Sequence, residues 1–365
     1  MTGISEATKG ALLKEAFDAG VFMTLDPDFV IENTTLFDSW YIKAKRVSFK
    51  ANSQLVFSKA AQNNRNSFFI VTEELVSEDL NAPGSIIWEH DPIPVQAPAS
   101  GQARSGEDGS GTGSDGTIGF HGEQGVTGLT GKNAPMLTIV VGKVPNSGVL
   151  IDFTGQPGGQ GGAGQQGGKG GHGAGGRDAR QSAVDCKSGA GPGGNGGKGG
   201  SGGRGGTGGI GGTGGTINII SVNETSETIG QKFRFLVSGG EGGPGGPGGE
   251  AGEGGSGGKG GSDDPPYCRG DGSDGSTGET GQVGETGQIG SKGLDGDYFI
   301  GLTTDELFGK VIGKATENFG LDRKVISKAP ENFGMQVNII GTDIASKWLD
   351  SERLNDLSRT LELKD

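Results

Sequence analysis

The sequence contains few of the residues on which catalysis and metal binding usually depend. Only three histidines, His90, His121 and His172, occur among 365 residues. They lie far apart in the chain, and no cysteine or carboxylate stands at the spacing of metal ligands beside them. No Walker A phosphate-binding sequence occurs. We therefore expect no catalytic residues, no cofactor and no metal site, and we interpret the protein as not an enzyme.

Long apolar runs and positive charge are also lacking. Hydrophobic residues make up 30% of the chain, and no stretch approaches the length of 18 apolar residues typical of a transmembrane helix. The formal net charge of −13 argues against nucleic acid as a partner. The N-terminus does not read as a classical signal peptide. We expect no membrane insertion and leave the localisation unknown, with the cell surface, the extracellular space or a virion favoured.

Glycine, in contrast, accounts for 80 residues and follows a period of three. The runs 155–178, 193–216 and 239–262 are each 24 residues long and repeat the unit GGX, with some interruptions. A polyproline II backbone has three residues per turn, so this repeat leaves two edges of each rod without side chains. Bare edges allow neighbouring rods to approach and to exchange backbone hydrogen bonds. The pattern predicts several rods packed side by side.

Two flanking runs, 116–133 and 272–297, carry one glycine in each triplet. Such a rod has a single bare edge, so we place these runs at the sides of the bundle. The pattern is also that of collagen, but neither run contains the proline that collagen-like segments usually carry. A collagen-like trimeric stalk or spacer stays open as an alternative.

The remaining segments predict mainly strands. Short alternating runs between residues 28 and 95 are typical of a sandwich or a short β-solenoid. The connections 134–154 and 216–238 each contain two apolar runs, which we interpret as strand pairs at one end of the bundle, where they can extend the N-terminal sheet. A 14-residue repeat (314–320 and 328–334) and a helix over 343–363 are predicted near the C-terminus.

These observations predict a fold class that is mainly β/irregular: an N-terminal β module joined to a polyglycine II helix bundle, with strand-pair connections at one end and short helices at the termini. The predicted domains are an N-terminal helical segment (1–27), the β module (28–95), a linker (96–115), the bundle (116–300) and a C-terminal region ending in a helix (301–365).

The other two connections, 179–192 and 263–271, are polar and contain the two cysteines, Cys186 and Cys268. Following the rods up and down places both connections at the end opposite the strand pairs. The two alternatives are a disulfide between them and two free thiols, because the sequence does not determine whether the protein resides in an oxidising or a reducing compartment.

The two polar loops offer contact chemistry that the rods lack. Arg269-Gly270-Asp271 spells an integrin-type tripeptide, but chance explains it in a glycine-rich acidic loop, and we draw no receptor from it. The candidate partner-binding residues are Arg177, Arg180, Asp185, Tyr267, Arg269 and Asp271.

The glycine runs resemble two groups of proteins with polyglycine II bundles. One is the glycine-rich tail-fibre tip adhesins of T-even-like bacteriophages, and the other is the glycine-rich antifreeze protein of snow fleas. The resemblance covers roughly residues 116–297. The adhesin comparison implies that the loops 179–192 and 263–271 form a contact tip for host outer-membrane proteins.

We therefore expect a non-enzymatic structural or adhesive protein that presents loops to a protein or cell-surface receptor, with self-association through the β module as a further expectation. The first alternative is ice binding by a face of the bundle. Charged residues at the X positions weaken that alternative.

Overall fold

The computed structural model describes residues 2–21, 23–93, 95–145, 147–222 and 224–313. The 14-residue repeat and the helix expected over 343–363 lie outside the described residues. In chain order, the strands of the described part are β1 (Thr2–Gly3), β2 (Asp26–Ile31), β3 (Thr34–Phe37), β4 (Tyr41–Phe49), β5 (Gln54–Phe57), β6 (Ser67–Ser77), β7 (Ser85–Trp88), β8 (Met136–Lys143), β9 (Val149–Asp152), β10 (Arg180–Gln181), β11 (Cys186–Ser188), β12 (Thr216–Ser221), β13 (Phe233–Leu236) and β14 (Asp297–Leu302). The helices are α1 (Glu6–Gly20), α2 (Lys59–Asn64), α3 (Ser226–Lys232) and α4 (Asp305–Ile312).

Two parallel sheets form the body of the fold. Sheet 1 has the strand order β1-β14-β12-β8-β6-β4-β2, and sheet 2 has the order β13-β9-β7-β5-β3. From β2 to β9, consecutive strands along the chain alternate between the two sheets, and every neighbouring pair within a sheet runs parallel. The chain therefore winds in coils, and each coil contributes one strand to each sheet.

A hydrophobic core fills the space between the sheets. Phe57 of sheet 2 and Phe68 of sheet 1 are fully buried, and their rings stack with centroids 4.2 Å apart. Because side chains alternate along a strand, the next residue, Phe69, points to the other face of sheet 1. There it belongs to a second buried cluster, to which α1 contributes Leu12, Leu13 and Ala16, and α4 contributes Phe308, Val311 and Ile312.

The expected fold class is therefore wrong, although the described residues are mainly β and irregular. The regular structure is two parallel sheets with a few helices, an α/β-like arrangement, and it does not show a separate β module joined to a polyglycine II bundle. The expected strand pairs are also not pairs. β8 lies in sheet 1 and β9 in sheet 2, and β12 and β13 are divided in the same way. Each strand instead pairs with strands of neighbouring coils, as β12 does with β8 and β14.

Glycine-rich chain is inserted at one corner of the coils, between a strand of sheet 2 and the next strand of sheet 1. The first insertion joins β7 to β8, the second joins β9 to β12, and the third joins β13 to β14. Each insertion runs out and back, which gives six segments that we call the glycine-rich array. These are segments I (96–113), II (116–133), III (155–178), IV (193–215), V (239–262) and VI (272–296).

Backbone hydrogen bonds link the segments into two layers. The outgoing layer bonds from I to III and from III to V, for example from Gly106 N to Lys169 O at 2.7 Å and from Gly158 N to Glu241 O at 2.8 Å. The returning layer bonds from II to IV and from IV to VI, and a third set, such as Gly206 N to Gly162 O at 2.8 Å, joins the layers. The expected hydrogen bonding between glycine runs is present. Residues 96–113, expected to be a linker, form a segment of the array.

Glycine is required inside the array because the backbones are too close for a side chain. A Cβ atom at Gly206 would lie 2.0 Å from the carbonyl oxygen of Val126. At Gly205 it would lie 1.9 Å from the carbonyl oxygen of Gly246. In each GGX triplet the one side chain stands at the third position, as in the exposed Lys198, Arg204 and Ile210 of segment IV.

One lateral edge of the array, formed by V and VI, is closed by side chains. Asp274 accepts a hydrogen bond from Gly260 N, and Asp295 accepts one from Gly239 N, both at 2.8 Å. Between these two caps, the amide of Gly254 lies level with Thr280 and has no acceptor within the described residues. No further segment continues the array beyond this edge in the described part of the chain.

Candidate functional site

Three turns lie together at the end of the array remote from the sheets. They span residues 110–115, 179–192 and 263–271, and they join I to II, III to IV and V to VI, the first of them including the last four residues of segment I. The last two are the polar loops named above, which we call the tip loops. The first turn was missed because residues 96–115 were interpreted as a linker, although Gly106 and Gly109 lie three residues apart, as do Gly113 and Gly116.

A disulfide joins the two tip loops. Cys186 and Cys268 are separated by 82 positions, with an S–S distance of 2.01 Å and a Cα–Cα distance of 4.9 Å. Cys268 is only 3% exposed, so its end of the disulfide is buried beneath the tip loops. A covalent link between loops so distant in sequence restricts the unfolded chain and fixes the loops relative to each other.

Gln181 makes a second link between the same loops. Its backbone N–H donates to Asp264 Oδ2 at 3.0 Å, and its side-chain Nε2 donates to the carbonyl oxygen of Pro265 at 2.9 Å. Its Oε1 accepts from the backbone N–H of Tyr267 at 3.1 Å. One residue thus binds three points of the other loop, twice through its side chain and once through its backbone. Nothing in the sequence pattern identified Gln181, since the contact depends on the pairing of the loops.

Each tip loop is also ordered internally. In loop 179–192, β10 and β11 pair antiparallel, and Ser182 N donates to Asp185 O at 2.8 Å. In loop 263–271, Asp264 and Cys268 exchange two backbone hydrogen bonds, of 2.8 and 3.0 Å. The peptide bond between Pro265 and Pro266 is cis. Short loops with this many internal bonds hold their side chains in defined positions.

Three carboxylates at the tip each accept a hydrogen bond from a backbone amide. Asp178 accepts from Ser262 N at 2.8 Å, Asp185 from Cys186 N at 2.7 Å, and Asp271 from Asp263 N at 2.8 Å. The nearby cations differ. Within the described residues, the side chains of Arg177, Arg180 and Lys187 have neither an ion pair nor a hydrogen bond. The tip therefore presents cationic groups that are free to meet a partner.

The structure places the six predicted contact residues on the tip loops or immediately before them, and all six are exposed. Arg177 lines a shallow depression together with Thr112, Gly113, Gly191 and Pro192. Tyr267 is 49% exposed and follows Pro265 and Pro266, of which Pro265 accepts a hydrogen bond from Gln181 through its carbonyl oxygen. Two further exposed tip residues were not singled out from the sequence, Val184 at 79% exposure and Lys187.

The histidines serve the scaffold. His121 Nδ1 accepts from Ser201 N at 3.1 Å, and His172 Nδ1 accepts from Ser256 N at 3.0 Å, so both cap amides on the faces of the array. His90 packs against Trp88, and desolvation lowers its pKa, while the Asp152 carboxylate acts in the opposite direction. Among the described residues, no cluster of three or more His, Cys, Asp or Glu side chains is arranged to hold a metal ion.

In the part of the chain that the structure describes, no helix has the length and apolar character needed to cross a membrane.

Comparisons with known proteins give little further information. No protein-family model matches the chain, and no curated protein matches it. Among solved structures, it is similar to the springtail antifreeze protein from Granisotoma rainieri, described as a nine polyproline type II helical bundle. The identity is 25%, the match covers 52% of this chain and 96% of that chain, and the TM-score is 0.10. Such a TM-score carries no argument about fold or function.

Proposed function

We propose that this protein is a non-enzymatic adhesive protein that binds a protein or cell-surface receptor through its two tip loops. The observation that carries the proposal is the double link between loops 179–192 and 263–271, made by the Cys186–Cys268 disulfide and by Gln181. Loops fixed before binding lose less conformational entropy when a partner docks, so the same contacts give a higher affinity.

The array supports this role because it connects the tip to the sheets through many backbone hydrogen bonds. Interior glycine amides donate to neighbouring segments at about the same distance, such as 2.8 Å from Gly199 N to Glu279 O and from Gly203 N to Gln165 O. A densely bonded support transmits little disorder to the loops it carries. The exposed side chains of the tip then provide the contact chemistry, with Tyr267 as an aromatic anchor and Arg180 as a free cation. Aromatic residues and arginine are enriched among binding hot spots.

The experiment measures binding of labelled protein to a panel of bacterial and animal cells. A first variant replaces both tip loops with Gly-Ser sequence. A second variant, Tyr267→Ser with Arg180→Gln, keeps the disulfide and Gln181, so it tests contacts without removing the links. The matched control, Lys198→Ala with Arg204→Ala, changes charged side chains on a face of the array outside the tip loops. Circular dichroism verifies the fold of each variant.

We expect both tip variants to lose binding and the array control to retain it. Cells that bind the wild type and both tip variants equally, or cells that bind none of them, would exclude the tip as an adhesive site.

Ice binding is the second candidate, favoured by the regular rows of side chains on the outer face of the returning layer. Toward the sheets these rows are uncharged and contain Thr127, Thr207 and Ile210. Toward the tip they become charged, with Lys198 paired to Glu279 at 3.1 Å. The test is thermal hysteresis of the purified protein. Hysteresis in the wild type that is lost in a Thr207→Lys variant would support ice binding, and a wild type without hysteresis would exclude it.

A collagen-like trimeric stalk is a weaker alternative. The amides that such a stalk shares between chains are used here within one chain, as in the bond from Gly116 N to Asn195 O at 2.9 Å.

A further inference from the structure

The turn that leads from loop 263–271 into segment VI is held at both ends. Cys268, at its start, is bound covalently to Cys186. At its end, Gly272 N donates to Gly261 O at 2.8 Å, which is the first hydrogen bond between segments V and VI. Three residues, Arg269, Gly270 and Asp271, lie between these fixed points, and all three are exposed.

The backbone of this turn requires its central glycine. Gly270 has φ of +98°, a conformation that side-chain-bearing residues rarely adopt. A Cβ atom added there would meet nothing within 4 Å, so the requirement is conformational and not steric. The turn therefore projects into solvent, with the arginine on one side of the glycine and the aspartate on the other.

Each charged side chain is positioned by one hydrogen bond that leaves its outer atoms available. Arg269 donates from Nε to the carbonyl oxygen of Pro266 at 3.2 Å, and its two terminal nitrogens have no partner within the described residues. Asp271 accepts through Oδ1 from Asp263 N at 2.8 Å, and its Oδ2 has no partner there either. A bidentate guanidinium edge and a carboxylate oxygen are thus presented by one fixed turn.

We propose that Arg269 and Asp271 form a recognition pair for an integrin-type receptor, meaning a receptor that offers carboxylates to the guanidinium and a bound divalent cation to the aspartate. A guanidinium pairs best with carboxylates, and divalent cations such as Mg²⁺ take carboxylate oxygens as ligands. The inference rests on the proposed adhesive tip and names the class of its partner. In the sequence alone the tripeptide is indistinguishable from a chance match, and the two-sided anchoring of the turn is what distinguishes it.

The test measures binding of the full chain to immobilised ectodomains of a panel of Arg-Gly-Asp-binding integrins, with Mg²⁺ or with EDTA. Asp271→Asn is the informative variant, because asparagine Oδ1 still accepts from Asp263 N while the charge that binds the cation is lost. Arg269→Gln removes the guanidinium. Arg204→Gln is the matched control, since it removes a guanidinium from a face of the array outside the tip loops.

We expect wild-type binding that EDTA abolishes. Asp271→Asn and Arg269→Gln should weaken it about 30-fold or more, and Arg204→Gln should change it by about threefold at most. No wild-type binding to any ectodomain in Mg²⁺ overturns the inference, as does binding that survives EDTA or Asp271→Asn. The adhesive tip is tested separately. If the protein binds cells through the tip loops but binds no ectodomain, the integrin-type receptor is excluded and the adhesive tip is not.

Discussion

Replacing an interior glycine of the array by alanine tests whether close backbone contact holds the molecule together. In Gly206→Ala, the new Cβ would lie 2.0 Å from Val126 O, although real Cβ contacts are longer than 3.0 Å. The two segments must therefore separate by at least 1.0 Å, the difference between these distances. The direct bonds between segments II and IV beside this contact, from Gly125 N to Arg204 O at 2.9 Å and from Gly128 N to Thr207 O at 2.8 Å, would then stretch to about 3.8–3.9 Å, beyond hydrogen-bond range.

The magnitude follows from these losses. Two hydrogen bonds contribute about 2 kcal/mol together, and residual overlap adds about 1–3 kcal/mol. Alanine also restricts the unfolded chain, which returns about 0.4–1 kcal/mol. We expect Gly206→Ala to lower the free energy of unfolding by about 2–4 kcal/mol.

Two matched substitutions calibrate the result. At Gly189, in a tip loop, an added Cβ meets nothing within 4 Å, so Gly189→Ala should be neutral or slightly stabilising. Gly254→Ala lies at the V–VI edge, where segment VI can move outward, so its effect should be intermediate. Ala251 occupies the equivalent position of the neighbouring triplet, which indicates that segment VI can move outward to accommodate a Cβ atom at this edge.

Urea unfolding followed by circular dichroism measures the three free energies, and amide hydrogen exchange at Gly125 and Gly128 locates the loss. Equal stability of Gly206→Ala and Gly189→Ala would refute the argument that backbone contact excludes side chains from the array.

Three further predictions concern the tip and the array edge. Serine at Cys186 and Cys268 should lower the free energy of unfolding by up to about 4 kcal/mol, which urea unfolding with and without reductant measures. Thr280→Asn should supply an acceptor to the unpaired amide of Gly254 and raise the melting temperature, by an amount equivalent to about 0.5–1 kcal/mol, whereas Thr280→Val should not. The pKa of Asp295 is lowered by its hydrogen bond from a backbone amide and by a nearby lysine. Its contribution to stability is therefore present above its ordinary pKa of about 3.8 and is lost as the pH falls through the lower folded value. Acid titration followed by circular dichroism should show a smaller stability loss for Asp295→Asn.

The period-three glycine pattern predicted the lateral hydrogen bonding correctly because it is a local property. The spacing of bare positions in one run is sufficient to say that another backbone can approach it. The architecture of the sheets, in contrast, depends on pairing between strands that are distant in the sequence. Residues 137–141 and 149–153 look like a hairpin in the sequence, but parallel pairing brings Thr138 of β8 against Phe69 of β6 and Asn218 of β12. Partners roughly 70–80 positions away leave no signal in a local alternation pattern.

The same distinction applies to the site. Composition identified the polar loops. Because successive glycine runs alternate in direction, both loops were predicted to lie at the same end of the bundle. The side chain that links them, Gln181, is an ordinary polar residue until the loops are adjacent. The turn at 110–115 was missed for a different reason. Segment I contains only Gly101, Gly106, Gly109, Gly111 and Gly113, so its acidic and serine residues resemble a linker more than a member of the array.

The position of the tip is determined by the sheets, at the opposite end of the array. Segments III and V start directly after β9 and β13, which are neighbours in sheet 2. Their first mutual bond runs from Gly155 N to Ser238 O, and their last runs from Ala179 N to Ser262 O. The offset is 83 positions at both ends (238 − 155 and 262 − 179), so the two segments do not slip along their length. A slip of one triplet would move one tip loop by up to about 10 Å, beyond the roughly 7 Å over which two Cα atoms can be bridged by a disulfide. The Cα–Cα distance of 4.9 Å between Cys186 and Cys268 therefore depends on register set at the sheets and preserved through the array.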